Sequence, residues 1–215
     1  MILATISLTI LISAIIAIFF RQRKNNKMFS IFKPLTTILI ISLAAIIHLE
    51  SPTTYSTLLI VSLIFALIGD IFLIGEKYFL QGLTSFLIAH IVFTVAFTDL
   101  FGFSWGILPL VILIIIGALF FNSLRKYLHK FTIPVLVYLI VILIMNWQAI
   151  GLLYHNQSFA IIGLAIGSIF FTFSDAIIAF DKFKKPIKYA EILILSTYWI
   201  AIYTFTIVGL YIDKL

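Results

Sequence analysis

Three ionisable side chains lie inside stretches of sequence that are otherwise apolar: Asp70, His90 and Asp175. An ionisable group at the centre of a membrane helix costs at least ~2.5–3.5 kcal/mol, so such residues are rare and usually pair, line a wet cavity and carry function. Two carboxyl groups and an imidazole in low-dielectric surroundings can acquire the shifted proton affinities that acid–base chemistry requires. These residues are therefore candidates for catalysis, and the helices that hold them must be located first.

The composition is that of a polytopic membrane protein. The 215 residues are 63% hydrophobic and 10% charged, with a mean hydropathy of +1.25, whereas a soluble domain is nearer ~45–50% apolar and ~25% charged. The chain has no cysteine, which excludes a disulfide framework and a thiolate metal site. The net charge of +6 resides in short loops between apolar segments, which argues against a nucleic-acid partner.

Apolar runs divide the chain into segments long enough to cross a bilayer, which takes about 20 mainly apolar residues. The runs cover roughly residues 2–20, 32–50, 55–75, 79–99, 105–121, 131–151, 159–180 and 190–212. The sequence therefore predicts an all-α protein, a single transmembrane domain over 1–215 with about eight helices. The first run has no basic segment before it and ends at Arg21 to Lys24 rather than in a small-residue cleavage site, so we expect a retained helix instead of a secretory signal.

Basic residues follow every second predicted helix. By the positive-inside rule, thirteen of the fourteen Lys and Arg residues face the cytoplasm, and only Lys214 lies on the other side. Both termini are then on the non-cytoplasmic side. We expect an integral membrane protein of a bacterial inner (plasma) membrane.

This orientation places six polar residues at similar depth, in the cytoplasmic half of the bilayer. At ~1.5 Å per residue, His90 lies near the midplane, about eleven residues into a helix that begins inside. The six residues are Lys33, Asp70, His90, Asp175, Glu191 and Tyr198. Their shared depth predicts one site, with Asp70, Asp175 and His90 catalytic and Lys33, Tyr198 and Glu191 in contact with substrate.

Each of these residues also has a structural interpretation. Asp70 and Asp175 could be structural partners of Lys33 or helix-terminal groups. Lys33 could snorkel to the interface, and His90 could bond between helices. Glu191 could be interfacial, and Tyr198 could be a packed aromatic. The other three histidines, His48, His129 and His155, are scattered in depth, so no metal site with His90 is expected. The sequence indicates no cofactor and no particular oligomeric state.

A limited internal similarity relates the two halves of the chain. Gly69-Asp70 is followed by Glu76-Lys77-Tyr78, and Ser174-Asp175 is followed by Asp181-Lys182-Phe183. Pro34 and Pro134 are expected to open the second and sixth helices. Two four-helix halves in parallel orientation would explain this pattern, and chance similarity in apolar sequence would explain it about as well.

Six short motifs follow one another along the chain, from about residue 30 to 205. They are Lys33-Pro34-Leu35-Thr36-Thr37, Leu67-Ile68-Gly69-Asp70, Gln81-Gly82-Leu83 through Phe86 to Ala89-His90, Tyr138 to Met145, Phe173-Ser174-Asp175 and Thr197-Tyr198-Trp199-Ile200-Ala201. This ordered set resembles the YhhN-like lysoplasmalogenase family of integral membrane hydrolases. One position departs from the resemblance, because Ile202 stands where the family pattern leads us to expect a glutamine.

The resemblance implies cleavage of the vinyl-ether bond of a lysophospholipid held in the bilayer, a lysoplasmalogen. The products are a fatty aldehyde and a glycerophospho-alcohol. Asp70 and Asp175 match the family's two membrane-embedded acids, which the resemblance implies to be the catalytic pair. Lys33, His90 and Tyr198 match other characteristic positions.

The residue types suit this chemistry. A vinyl ether hydrolyses by protonation of its β-carbon, which gives an oxocarbenium ion that water captures. This needs one protonated carboxyl group and a second, ionised one, as in glycosidases. We hypothesise that Asp70 and Asp175 form such a coupled pair, that His90 orients water or shuttles a proton, and that Lys33 binds the phosphate.

Two other functions are considered. A small-molecule or proton-coupled transporter would use the intramembrane acids and histidine as a proton relay, and would show helices broken at the midplane. A zinc-dependent lipid hydrolase would need about three converging ligands, of which the depth argument supplies only His90.

Overall fold

The structure, a computed structural model, describes residues 2–214, and within them all regular structure is helical. This confirms the predicted all-α fold. Short 3₁₀ segments extend or join several of the α-helices. The eight α-helices are α1 (Ile2–Gln22), α2 (Asn26–Glu50), α3 (Thr54–Phe72), α4 (Phe79–Phe101), α5 (Ile107–Leu128), α6 (Thr132–Gly151), α7 (Phe159–Phe183) and α8 (Ala190–Val208).

Seven helical stretches among the described residues are long and apolar enough to cross a membrane. One of them, Ile107–Tyr154, is 48 residues long and contains two α-helices, α5 and α6. His129 has a left-handed backbone conformation (φ 46°) where α5 ends. A Cβ atom on Gly117 of α5 would lie only 2.4 Å from the Leu143 side chain of α6, so the two helices fold back against each other.

The helix boundaries differ from the predicted ones where helices extend into the polar interface. The prediction that Pro34 opens the second helix is wrong, because α2 begins at Asn26 and Pro34 lies inside it. Asn25 caps this helix by accepting a hydrogen bond from the backbone N–H of Met28 (3.1 Å). Apolar runs mark the part of a helix in lipid, whereas capping residues mark where the helix begins.

The loops after α1, α3, α5 and α7 lie together at one end of the bundle, here called the basic end. The Phe79 ring contacts the rings of Phe131 and Phe183, at centroid distances of 5.9 and 5.7 Å. These contacts join the loops that precede α4 and α6 to the end of α7. The first turns of α1 and the segment that follows α8 lie at the opposite end of the bundle: Ser7 bonds Tyr203 near the end of α8, and Ser51 bonds Asp213.

Two helix pairs pack closely enough to bring their polar residues to the centre. Between α3 and α4, the Phe86 ring lies against Gly69, the residue before Asp70, and the Ser85 hydroxyl donates to the Phe65 carbonyl (2.6 Å). Between α7 and α8, a Cβ atom on Gly167 would lie 2.7 Å from the Phe205 ring. By contrast α1 and α5 are peripheral, with many exposed apolar side chains that suit contact with lipid.

The close approach of α7 and α8 predicts that alanine will be tolerated differently at two glycines of α7, one turn apart. Gly167→Ala should lower the thermal stability in detergent, because Phe205 is itself packed against Phe93 and Phe97 and cannot yield freely; overpacking of this kind costs about 1–3 kcal/mol. Gly163→Ala is the control, since its Cβ would meet ordinary contacts at 3.4 Å. Equal melting temperatures, followed by tryptophan fluorescence, would contradict this packing.

Candidate active site

Asp70 is buried near the basic end of α3 among donors from two other helices. Its Oδ2 accepts hydrogen bonds from the Thr37 hydroxyl of α2 (2.6 Å) and the Tyr198 hydroxyl of α8 (2.9 Å). Its Oδ1 lies 3.4 Å from the Lys33 ammonium, and the side chains of Lys33 and Asp70 are 9% and 1% exposed. Lys33 is therefore a buried counter-ion rather than a snorkelling interfacial lysine. A carboxylate with one cation and two hydroxyl donors has the partners that an ionised group needs in lipid.

Asp175 of α7 has a different set of partners. Its Oδ2 accepts a hydrogen bond from the Tyr138 hydroxyl of α6 (2.5 Å) and lies 3.5 Å from His90 Nε2 of α4. The Asp175 side chain is 11% exposed, so it is less enclosed than Asp70. No lysine or arginine among the described residues forms an ion pair with it.

The His90 ring is fixed in one orientation. Its Nδ1 lies 2.6 Å from the Phe86 carbonyl oxygen, which can only accept, so Nδ1 carries a hydrogen. The buried Nε2 has no hydrogen-bond partner and faces the Asp175 carboxyl group. A proton between Nε2 and Oδ2 would satisfy both atoms, whereas two lone pairs would otherwise face each other. His90 and Asp175 therefore form a unit suited to holding one proton.

Packed aromatic rings connect the surroundings of the two acids. The Phe171 ring lies 4.5 Å from the His90 ring and 5.3 Å from the Tyr198 ring, and Phe86 makes edge contacts with Phe171 and Tyr198. Among the described residues, no side chain hydrogen-bonds both Asp70 and Asp175. The predicted site residues thus fall into two adjacent clusters with separate partners.

Most of the predicted residues belong to one of these clusters. Lys33 and Tyr198 join Asp70, and His90 joins Asp175. Glu191 instead forms a half-exposed ion pair with Arg21, which also lies over the Phe29 ring. That ion pair joins α1 to α8 at the basic end.

Sequence reasoning missed Tyr138 and Thr37 as partners of the two acids. Tyr138 lies six residues into α6, at the depth of Asp175 on the neighbouring helix, and Thr37 lies one turn beyond Lys33 on α2. The sequence signal for both residues was a hydroxyl group at the depth of an acid on another helix. Tyrosine and threonine are common in membrane helices, so this signal was not distinctive.

Two cavities approach the clusters from the basic end. A vestibule of about 410 Å³ opens among the loops, and its charged lining residues are the basic Arg21, Lys33 and Lys182 and the acidic Asp181 and Glu191. An inner cavity of about 40 Å³ lies between α4, α6 and α7 and is bordered by Tyr138 and Asp175. The two share Leu73, Phe79 and Ile178 in their walls. Asp175 therefore faces a cavity, whereas Asp70 lies behind Lys33.

The two clusters do not resemble a metal site. Within residues 2–214, no three His, Cys, Asp or Glu side chains come together in a way that could hold a metal ion. His48, His129 and His155 lie away from His90, at the opposite end or in a loop at the basic end.

Comparison with known proteins identifies the family. The YhhN family model matches residues 28–208, which covers α3 to α8 entirely and all but the first two residues of α2. The chain belongs to the YhhN family. Its match begins after α1, so that helix lies outside the part that defines the family.

The relatives it matches include curated lysoplasmalogenases of mammals. Lysoplasmalogenase TMEM86A of Bos taurus is 34% identical over 152 residues, and the human protein of that name is 34% identical over 157 residues. Each match covers 68% of this chain and 62% of the relative. Human lysoplasmalogenase TMEM86B is 30% identical over 165 residues, 75% of this chain and 68% of the relative. The chain thus spans less than two thirds of the TMEM86A proteins. No solved structure matches the chain.

The buried Lys33–Asp70 pair is expected to contribute more to stability than the half-exposed Arg21–Glu191 pair. Lys33→Met should lower the free energy of unfolding by about 3–5 kcal/mol, because it leaves a buried carboxylate without its cation. Arg21→Met is the control, since loss of its half-exposed pair with Glu191 should cost only about 0–1 kcal/mol.

A double variant separates the charge effect from lost packing. Adding Asp70→Asn to Lys33→Met should recover part of the stability, as measured by denaturation in detergent. If Lys33→Met were no more damaging than Arg21→Met, the pair would contribute little.

Proposed function

We propose that this protein hydrolyses the vinyl-ether bond of lysoplasmalogens, such as lysoplasmenyl-ethanolamine or lysoplasmenyl-choline, within the bilayer. The products are a fatty aldehyde and a glycerophospho-alcohol. Membership of the YhhN family and relatives named lysoplasmalogenase support the reaction class. The observation that carries the proposal is the position of Asp175. This acid faces His90, with which it can share a proton, and it borders the inner cavity. The inner cavity in turn adjoins the vestibule at the basic end.

In this proposal the vestibule binds the polar headgroup. Arg21, Lys33 and Lys182 line it, and an ammonium or guanidinium group is a suitable partner for a phosphate. Lys33 has three donors, so it can bond Asp70 and the phosphate at the same time. Tyr198 acts through Asp70, and Glu191 shapes the vestibule through its pair with Arg21.

The first chemical step is proton transfer from the His90–Asp175 unit to the β-carbon of the vinyl ether. The electron pair of the carbon–carbon double bond takes the proton, and the positive charge forms on the α-carbon and the ether oxygen. The negative charge left on the unit is then stabilised by the Tyr138 hydroxyl, which already donates to Asp175.

The second step is capture of the oxocarbenium ion by water. The inner cavity is large enough to admit a water molecule beside Asp175. The Asp175 carboxylate takes a proton from this water as its oxygen bonds to the α-carbon. The hemiacetal then collapses: Asp175 donates its proton to the glycerol oxygen as that C–O bond breaks, and the hemiacetal hydroxyl gives its proton to Asp175 as the aldehyde carbonyl forms, which regenerates the acid.

The two acids then have different roles. Asp70 stays ionised and holds Lys33 at the vestibule, whereas Asp175 exchanges protons with the substrate. The separate partners of the two carboxyl groups favour this division over a directly coupled pair.

The transporter alternative has less support. A carrier would show helices broken at the midplane, but α1 to α8 are each continuous. The polar residues Trp147 and Gln148 toward the opposite end bond the backbone of Ser104 and Gly106, so they anchor a loop.

Purified protein incubated with a lysoplasmenyl lipid should release aldehyde, and an ordinary acyl lysophospholipid should give no fatty acid.

Asp175→Asn should lower kcat by about 10²–10⁴-fold, as expected for loss of a general acid. Asp70→Asn should act mainly on KM, because it frees Lys33. Folding of both variants is checked by gel filtration. Aldehyde release at the wild-type rate by both variants would exclude the acids, and fatty acid from the ester would indicate a different lipase chemistry.

We also propose that the basic end faces the cytoplasm of a bacterial inner (plasma) membrane, which the distribution of Lys and Arg supports. Because the chain has no cysteine, single cysteines report the orientation. In intact spheroplasts an impermeant maleimide should label Glu50→Cys at the opposite end and leave Lys185→Cys unlabelled until the cells are opened. Both parent side chains are exposed. The reverse labelling pattern would place the basic end outside.

A further inference from the structure

A third cavity extends from Asp175 in the direction away from the basic end. It is a cleft of about 130 Å³ between α5, α6 and α7, and its walls include Gly117, Leu139, Leu143, Thr172 and Ala176. We call it the tail cleft. Apart from Thr172 and the bordering Tyr138 and Asp175, the side chains that line it are hydrocarbon or aromatic.

The tail cleft adjoins the inner cavity. Val135, Tyr138, Asp175 and Ala179 border both, so Asp175 lies at the boundary between the two. The inner cavity in turn shares three wall residues with the vestibule. The three cavities therefore form a series of neighbours from the basic loops, past Asp175, to an apolar cleft.

The order of the three cavities follows the order of the groups in a single-chain phospholipid. Asp175 lies eight residues from the end of α7 at Phe183, which is about 12 Å at the helical rise. Thr172 lies about one turn further toward the opposite end. A charged vestibule at the interface, an acid below it and an apolar cleft deeper still match a headgroup, a reactive ether and a hydrocarbon chain.

Small residues keep the cleft open. A side chain at Gly117 would displace Leu143, and Ala176 and Ala179 present only methyl groups from α7. A cleft walled by apolar side chains offers no polar partner, so a headgroup or a water-soluble ligand would lose hydrogen bonds there. A straight hydrocarbon chain loses none.

We propose that the tail cleft binds the aliphatic chain of the substrate and determines which chain lengths are cleaved. The nature of the lipid rests on the proposed function, whereas the position of the chain rests on the order of the adjoining cavities. Leu143 then acts as a specificity-determining residue, because it lies in the cleft beyond the acid.

The first experiment compares chain lengths in two neighbouring variants. Leu143→Phe fills the cleft, and Ile144→Phe adds the same ring at a side chain that is 37% exposed toward the bilayer. For Leu143→Phe, the ratio of kcat/KM for octadecenyl over decenyl lysoplasmalogen should fall by about tenfold, within the range that pocket methylenes give. Ile144→Phe should leave the ratio unchanged. Equal ratios in wild type and both variants would overturn the proposal.

The second experiment uses the wild-type chain and does not depend on turnover. An alkyl-ether lysophospholipid with a diazirine at the end of its chain has no vinyl group to protonate, so it reports binding alone. After irradiation in nanodiscs, labelled peptides should come from the cleft walls of α5, α6 and α7, and excess unlabelled alkyl lysolipid should suppress them.

The two experiments distinguish failure of the chain site from failure of the proposed vinyl-ether reaction. Competed labelling in the cleft without aldehyde release would retain the chain site and reject the vinyl-ether reaction. Normal aldehyde release with labelling spread over the outer faces of α1 and α5, without competition, would retain the reaction and overturn the chain site.

Discussion

A buried ion pair between Lys33 and Asp70 constrains the arrangement of the helices around it. Both side chains are largely removed from water, so α2 and α3 must place the ammonium beside the carboxylate and α8 must supply the Tyr198 hydroxyl. These contacts set the rotation of three helices about their axes. The packed rings of Phe86, Tyr198 and Phe171 then connect this cluster to the His90 ring beside Asp175.

The surroundings of the two acids differ in a way that suits two tasks. Asp70 has a cation and two hydroxyl donors as partners, a set that suits its proposed role of holding Lys33 in place. Asp175 instead has a tyrosine hydroxyl, an imidazole and a cavity beside it. That set suits its proposed role of exchanging protons with a substrate.

The position of each polar residue along its helix could be predicted from the sequence, but the helices that pack beside it could not. Helical rise fixes how far Asp70 or His90 lies from a basic loop, so all-α architecture, eight helices and a shared depth followed from apolar runs and charge. Which helix faces which depends on packing of Gly69 against Phe86 or Gly167 against Phe205. For that reason Tyr138 and Thr37 were overlooked as partners of the acids. The start of α2 at Asn26 was missed for a different reason, because the helix extends beyond its apolar run to the cap at Asn25.

The contacts of the two acids follow one rule. Asp70 on α3 bonds Thr37 on α2 and Tyr198 on α8, and Asp175 on α7 bonds Tyr138 on α6 and faces His90 on α4. If α1–α4 and α5–α8 are exchanged in order, the helices that contact Asp70 become the helices that contact Asp175. Each acid therefore has one partner helix in its own half of the chain and one in the other half. Neither half of the chain alone therefore contains all the partners of its acid, and each cluster is complete only where the two halves meet.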